Sequence, residues 1–313
     1  MPDRIVVTPR SAHGHPAVER MRAAGYEVVF PSPGAVPTAE QLRTALSGSV
    51  GYLAGIEPVT RDLLEAAPRL RAISRNGTGA DTIDLAAADE RGVRVLRAPA
   101  ANAQGVAELT VALMLAAARS LPYAAGAIRA GQWGRRQGIE LGGRRLGVIG
   151  AGQIGRRVIR VALALGMSVR AYDAYPDASF EPEGDFAFAP LDEVLEGAEV
   201  LTLHAPPADR PLIDRAVLAR MPVGAILVNT ARASLVDDDA VLDALDSGAL
   251  RAYATDVYAV EPPGVTALTS HPAVIGTAHI GGFTAESVER AMSAAVDNLL
   301  DALDSDRERP GHE

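Results

Sequence analysis

The stretch Arg145-Leu-Gly-Val-Ile-Gly-Ala-Gly-Gln-Ile-Gly-Arg156 constrains the fold of this chain more than any other. An apolar strand runs straight into glycines 150, 152 and 155, then into a helical pattern through Val158, Ile159, Ala162 and Leu165. This order builds a strand–turn–helix unit whose helix N-terminus faces a pyrophosphate. Gly150 permits the tight turn, Gly152 lets phosphate approach bare backbone, and Gly155 lets helix and strand close up. Gln153 and Ile154 complete the turn and belong to the same expected cofactor contact. A second strand, Val169-Arg-Ala-Tyr-Asp173, ends in a carboxylate 18 residues after Gly155, where an acid takes the adenosine ribose hydroxyls. Asp173 would repel a 2′-phosphate, and Ala174 and Tyr175 offer no cation beside it, so the expected cofactor is NAD rather than NADP. Arg170 should face the other side of the strand by period-two alternation.

Around this unit the chain alternates. Short apolar runs near 5–8, 27–30, 50–54, 70–74 and 93–96 are separated by helical patterns near 15–24, 38–46, 60–66 and 82–91. Runs at 146–150, 169–173, 200–204, 225–229, 251–256 and 274–277 alternate with helices near 153–165, 190–196, 213–220 and 237–246. Such alternation predicts doubly wound parallel sheets, and 313 residues suffice for two. A long apolar helix over 102–119 separates them. Residues 122–140 read as a polar connection holding the only tryptophan, Trp133, which suits an interface or a core equally. One last helix, 285–303, precedes a charged tail, 304–313, expected to fray. The expected architecture is α/β with two doubly wound parallel-sheet domains. A flavodoxin-like substrate domain takes 1–100 plus 283–313, and a Rossmann dinucleotide-binding domain takes 101–282.

Composition removes most other chemistries. Net charge is −9, which argues against nucleic acid or an anionic membrane as partner. There is no cysteine, so disulfides, thiol nucleophiles and cysteine metal sites are excluded. All 30 basic residues are arginine, which excludes a lysine Schiff base and a lysine-bearing phosphate loop. No metal spacing appears among the six histidines; His13, His15, His271 and His312 fall in loops or the tail. The longest apolar run, 111–118, is too short for a bilayer and no secretory pattern precedes the first strand, so a soluble cytoplasmic protein is expected.

Polar residues just past strands of the second sheet carry the candidate chemistry. Arg232 follows Asn229-Thr230, Glu261 lies beyond the strand ending at Asp256, and His279 follows 274–277. Parallel strands put all these ends on one edge. His279 is the one good proton carrier near neutral pH, Glu261 can orient the imidazole and stabilise its charged form, and Arg232 offers a planar fork for a carboxylate. Taken singly, each also fits a plainer role: a surface ion pair, a loop acid before Pro262, a capping histidine. His204, Pro206, Thr230, Asp256 and Gly281 line the same expected cofactor edge. In the first half, Arg75-Asn-Gly-Thr-Gly79 follows the fourth strand and is the candidate substrate loop, its glycine N–H groups able to receive an anion; a plain glycine turn is the alternative.

These residues together resemble the D-isomer-specific 2-hydroxyacid dehydrogenase family. The resemblance covers nearly the whole chain through 77–84, Asn102 to Glu108, 150–155 with Asp173, 229–232, 256–262 and 279–282. It implies a hydride transfer between NAD and C2 of a small 2-hydroxy or 2-oxo acid. Arg232 binds and polarises the acid, Glu261 pairs with His279 as acid/base, and Asp256 lies near the nicotinamide carboxamide. It also implies a homodimer formed through the cofactor domain, and a first domain completed by the C-terminal helix. Gly105, Thr82, Ala233 and Ala278 depart from the usual serine, asparagine, glycine and proline, leaving substrate preference and loop geometry open. Glyoxylate or hydroxypyruvate reduction, and a nucleotide-sensing binding protein on the same fold, remain alternatives. Arg75 resembles an arginine of phosphoglycerate dehydrogenases. With Arg135 and Arg136 it leads to the expectation of a substrate bearing a second acidic group, such as phosphate or phosphonate; surface ion pairing is the alternative.

Overall fold

The computed structural model describes residues 2–307, so His312 and the end of the expected tail lie outside the described residues. The chain forms two compact units, Met1–Asn102 with Thr284–Glu313, and Ala103–Phe283.

In the first unit, β1 (Arg4–Val7), β2 (Glu27–Val29), β3 (Ser49–Ala54), β4 (Ala72–Arg75) and β5 (Arg94–Leu96) form a parallel sheet in the order β2-β1-β3-β4-β5. This is the flavodoxin-like order, with the winding reversing between β1 and β3. The central β3 is buried at all six positions, as a strand covered on both faces must be. Leu42, Leu46, Leu63 and Leu64 cover one face. The other is covered by Met292, Val296, Leu299 and Leu303 of the helix Ala285–Arg307, packed with Ile5, Val7 and Leu53. A Cβ on Gly51 would stand 2.9 Å from the Leu303 Cδ1, so glycine there lets the helix approach. The helix runs on to Arg307, so residues 304–307 are helical where the sequence reading has a frayed tail.

In the second unit, β6 (Arg145–Ile149), β7 (Ser168–Tyr172), β8 (Phe186–Phe188), β9 (Val200–Leu203), β10 (Ala225–Asn229), β11 (Leu250–Thr255) and β12 (Val274–Gly276) are again all parallel. Their order, β12-β11-β10-β9-β6-β7-β8, is the Rossmann order with one added strand, reversing between β6 and β9. The helix Ala103–Arg119 buries Leu113, Met114 and Ala117 with Val148, Ile226 and Ala254.

Besides short turns such as the helix Ala267–Ser270, a strand and a helix depart from the sequence reading. Strand β8 was not anticipated, because Phe186-Ala-Phe188 stands in a stretch, 176–190, crowded with proline, glycine and acidic residues that reads as loop. The segment read as a connection contains the helix Leu121–Arg129, which starts after Ser120 turns the chain at φ 50°. Pro122 occupies the first turn of this helix, where its missing N–H costs nothing. Among the described residues, no single helix is long and apolar enough to cross a membrane.

Candidate functional site

The glycine turn between β6 and the helix Gly155–Ala164 divides its glycines by cause. Gly150 has φ 95°, and a Cβ there would lie 2.6 Å from the His204 carbonyl oxygen, where β9 ends beside β6. A Cβ on Gly155 would overlap the Gly150 carbonyl oxygen. Packing of the protein demands both. A Cβ on Gly152 would meet nothing within 4 Å, so its bare backbone is left for a ligand. No side chain caps this helix at Ile154, and its first turn holds Arg156 and Arg157 without an acid, an arrangement that favours an anion at the N-terminus. Asp173 sits half-buried just past β7, its Oδ2 accepting from the Ala151 N–H at 2.8 Å and its Oδ1 from the Tyr175 N–H at 2.8 Å. Each oxygen keeps a lone pair for a ribose hydroxyl. Arg170 is paired with Asp185 at 2.9 Å. Burial lowers the His204 imidazole to about 3, so it is neutral; its Nε2 meets the Thr202 hydroxyl at 3.1 Å and its buried Nδ1 has no partner. The open face of Gly152, the uncapped helix and the anchored carboxylate together fit a dinucleotide, and Gln153 and Ile154 lie in the same turn. Pro206 is exposed beyond β9.

On the other side of the reversal, β10, β11 and β12 end in a braced set of loops. The Asn229 side chain, fully buried, donates to the Arg232 carbonyl at 2.9 Å and accepts from the Ala231 N–H at 3.0 Å, which fixes the turn presenting Arg232. Thr230 is buried, its hydroxyl 2.8 Å from that of Thr110. Ala233 opens a short 3-10 turn without positive φ, so a glycine there is not needed. Asp256 is 2% exposed and takes three donors: the Thr277 hydroxyl at 2.6 Å, the Ile280 N–H at 2.8 Å and the Gly281 N–H at 2.7 Å. It is therefore the anchor of the loop carrying His279, a role the sequence reading did not give it. That anchoring holds His279 at φ 52°, a strained backbone for a non-glycine residue. The Glu261 Oε2 lies 2.8 Å from the His279 Nδ1, while its Oε1 accepts from the Tyr258 N–H at 3.1 Å. Glutamate and histidine, eighteen positions apart, are thus in direct contact, with the imidazole Nε2 on the opposite side of the ring.

In the first unit, Arg75 ends β4 and donates to the Asn76 carbonyl. Gly77 has φ 146° and its carbonyl accepts from the Ala98 N–H at 3.0 Å. Thr78 donates to the Asn102 Oδ1 at 3.0 Å and Gly79 is half-buried. The Asn76 Oδ1 is buried without a partner. Arg135 is exposed, and the Arg136 guanidinium stacks 3.8 Å above the Tyr123 ring. Sequence reasoning did not identify Asn229 as a brace or Glu57 as buried. A signal existed for the first, since asparagine ending a buried strand must satisfy its amide locally.

A family model described as D-isomer specific 2-hydroxyacid dehydrogenase, NAD binding domain, matches residues 111–281. The D-3-phosphoglycerate dehydrogenase of Methanocaldococcus jannaschii is 42% identical over 250 residues, 78% of this chain and 48% of that protein. The chain thus spans about half the length of the phosphoglycerate dehydrogenases it matches. The hydroxypyruvate reductase of Thermotoga maritima is 39% identical over 253 residues, 78% of this chain and 81% of that protein. The crystal structure of a Thermus thermophilus protein superposes with a TM-score of 0.87 at 35% identity, over 96% of this chain and 97% of that one. Two parallel sheets in these strand orders, a glycine turn with its acid, and this degree of likeness lead to one assignment: the chain belongs to the D-isomer-specific 2-hydroxyacid dehydrogenase family.

Proposed function

We propose that the protein is an NAD-dependent dehydrogenase that interconverts a small D-2-hydroxy acid and its 2-oxo acid, with the second unit holding the cofactor and the first carrying substrate residues 75–79. The observation that carries this reading is the contact of His279 with Glu261, at the same sheet edge as the braced Arg232 turn. A bound nicotinamide supplies or accepts the hydride at C2. In the reducing direction the His279 Nε2 delivers a proton to the substrate oxygen as it becomes hydroxyl; in the oxidising direction the same nitrogen takes it back. Glu261 holds the ring through Nδ1, which leaves Nε2 for substrate. Arg232 binds the carboxylate and polarises the carbonyl. Gly150, Gly152, Gln153, Ile154, Gly155 and Asp173 hold the dinucleotide, with His204, Pro206, Thr230, Asp256 and Gly281 along the same sheet edge. A homodimer is part of this reading, supported by exposed Leu121, Ile128 and Trp133, the last 80% exposed.

The test is oxidation of NADH, followed by absorbance, with glyoxylate, hydroxypyruvate, pyruvate and phosphohydroxypyruvate. At least one should be reduced, with NADH about tenfold or more better than NADPH in kcat/KM, because Asp173 repels a 2′-phosphate. Tight NADH binding without turnover on any acid would instead mark a nucleotide-sensing protein.

Glu261→Ala should lower kcat by about tenfold while NADH affinity stays within about twofold, since the carboxylate 2.8 Å from Nδ1 is what orients the imidazole. Wild-type kcat in this variant means the ring is oriented by something else.

A further inference from the structure

In an open parallel sheet, a ligand crevice forms outside the carboxyl ends of the two strands where the winding reverses. In the first unit these are β1 and β3, and the chain fills that place itself. Glu57 folds back from the loop after β3 and is 4% exposed. Its Oε1 accepts from the Gly55 N–H at 2.8 Å and from the hydroxyls of Thr8, just past β1, and Tyr52, on β3. Three donors on one oxygen suit a carboxylate, which only accepts. Its Oε2 lies against Gly55, where a Cβ would stand 2.7 Å away.

The adjacent strand end carries Arg75. Ala54 and Arg75 are register partners of β3 and β4, and the Asn76 N–H donates to the Ala54 carbonyl at 2.9 Å. Burial first, and then Glu57, hold the Tyr52 phenol well above its usual range, while Arg75 acts on the same phenol in the opposite sense. Tyr52 and Ala54 lie on one face of β3, so the register puts Arg75 on that face as well, and the Glu57 carboxylate and the Arg75 guanidinium act on one phenol with opposite sign. Beside them the Asn76 Oδ1 is a buried acceptor with no donor. A phosphate would bring only acceptors to it, whereas a hydroxyl would bring the missing donor.

We propose that Glu57 is a specificity-determining residue that offsets the charge of Arg75, so that the loop 75–79 takes a 2-oxo acid with a neutral, hydroxyl-bearing distal end and disfavours a phosphorylated one. The proposal rests on the dehydrogenase reading above and reverses the second-anion expectation drawn from Arg75 in the sequence.

The test compares NADH-driven kcat/KM for hydroxypyruvate and phosphohydroxypyruvate in the full chain. Wild type should favour hydroxypyruvate by about tenfold or more, and Glu57→Gln should move the ratio toward the phosphorylated acid by about tenfold, equivalent to about 1.4 kcal/mol. Tyr52→Phe leaves the carboxylate in place and should hold the ratio within about twofold. Arg75→Gln removes the positive side chain while Glu57 stays, and should move the ratio further toward hydroxypyruvate, which keeps the proposal testable if Glu57→Gln fails to fold. Wild-type preference for phosphohydroxypyruvate, or a ratio unmoved in folded Glu57→Gln or in Arg75→Gln, overturns the proposal while reduction of either acid preserves the dehydrogenase reading. No reduction of any 2-oxo acid by wild type overturns both.

Discussion

His279→Asn is expected to lower kcat by about a thousandfold while changing NADH affinity by less than about twofold. The imidazole is the one group of the set that can both hold and release a proton near neutral pH, and its contact with Glu261 is made through Nδ1 alone. Asparagine is the suitable replacement because the backbone at 279 is left-handed, at φ 52°, a region asparagine tolerates better than alanine does. A loss of turnover in this variant therefore reports on proton transfer and not on a rearranged loop. NADH affinity, read by fluorescence titration, tells whether the cofactor site is intact. A variant retaining more than about a tenth of wild-type kcat would remove His279 from the acid/base role.

Asp256→Ala should have the second largest effect, a fall in kcat of about a hundredfold together with a clear drop in Tm. Its carboxylate takes two backbone N–H groups and one hydroxyl from residues 277–281. Leaving buried donors without an acceptor costs about 1–3 kcal/mol each, and the strained backbone of His279 loses what holds it. Asp256→Asn keeps one good acceptor and should fall between wild type and the alanine variant in both measurements. Wild-type kcat in the alanine variant would show that the loop is set by other contacts.

The residues proposed for chemistry were legible because each lies shortly after a strongly apolar strand. Once β10, β11 and β12 are recognised as parallel, the positions of Arg232, Glu261 and His279 on one edge follow. The glycines were legible as a motif but not in their separate causes: that Gly150 and Gly155 answer to packing and Gly152 does not requires knowing what stands opposite each. The loop-anchoring role of Asp256 was not legible, because its place in sequence says nothing of the N–H groups folding back on it. Glu57 could not be read as buried. A glutamate before Pro58 in a loop has the composition of a solvent-facing turn, and its donors, Thr8 and Tyr52, converge only when β1 and β3 lie side by side. Strand β8 escaped because the prolines, glycine and acids flanking it read as loop.

The helix Ala285–Arg307 has a consequence for how the chain comes to be folded. It covers Ile5, Val7 and Leu53 of the first sheet, yet it is made after the whole of the second unit. During synthesis the earliest strands emerge with one apolar face bare, and they stay so while an entire second domain is translated and is free to fold on its own. The last helix must then return to a partner produced long before it, a contact of very large sequence separation whose loop-closure cost is set by the insertion. The order of completion in this protein is therefore the reverse of its order of synthesis, and the nascent first sheet is the stage most in need of protection from other chains.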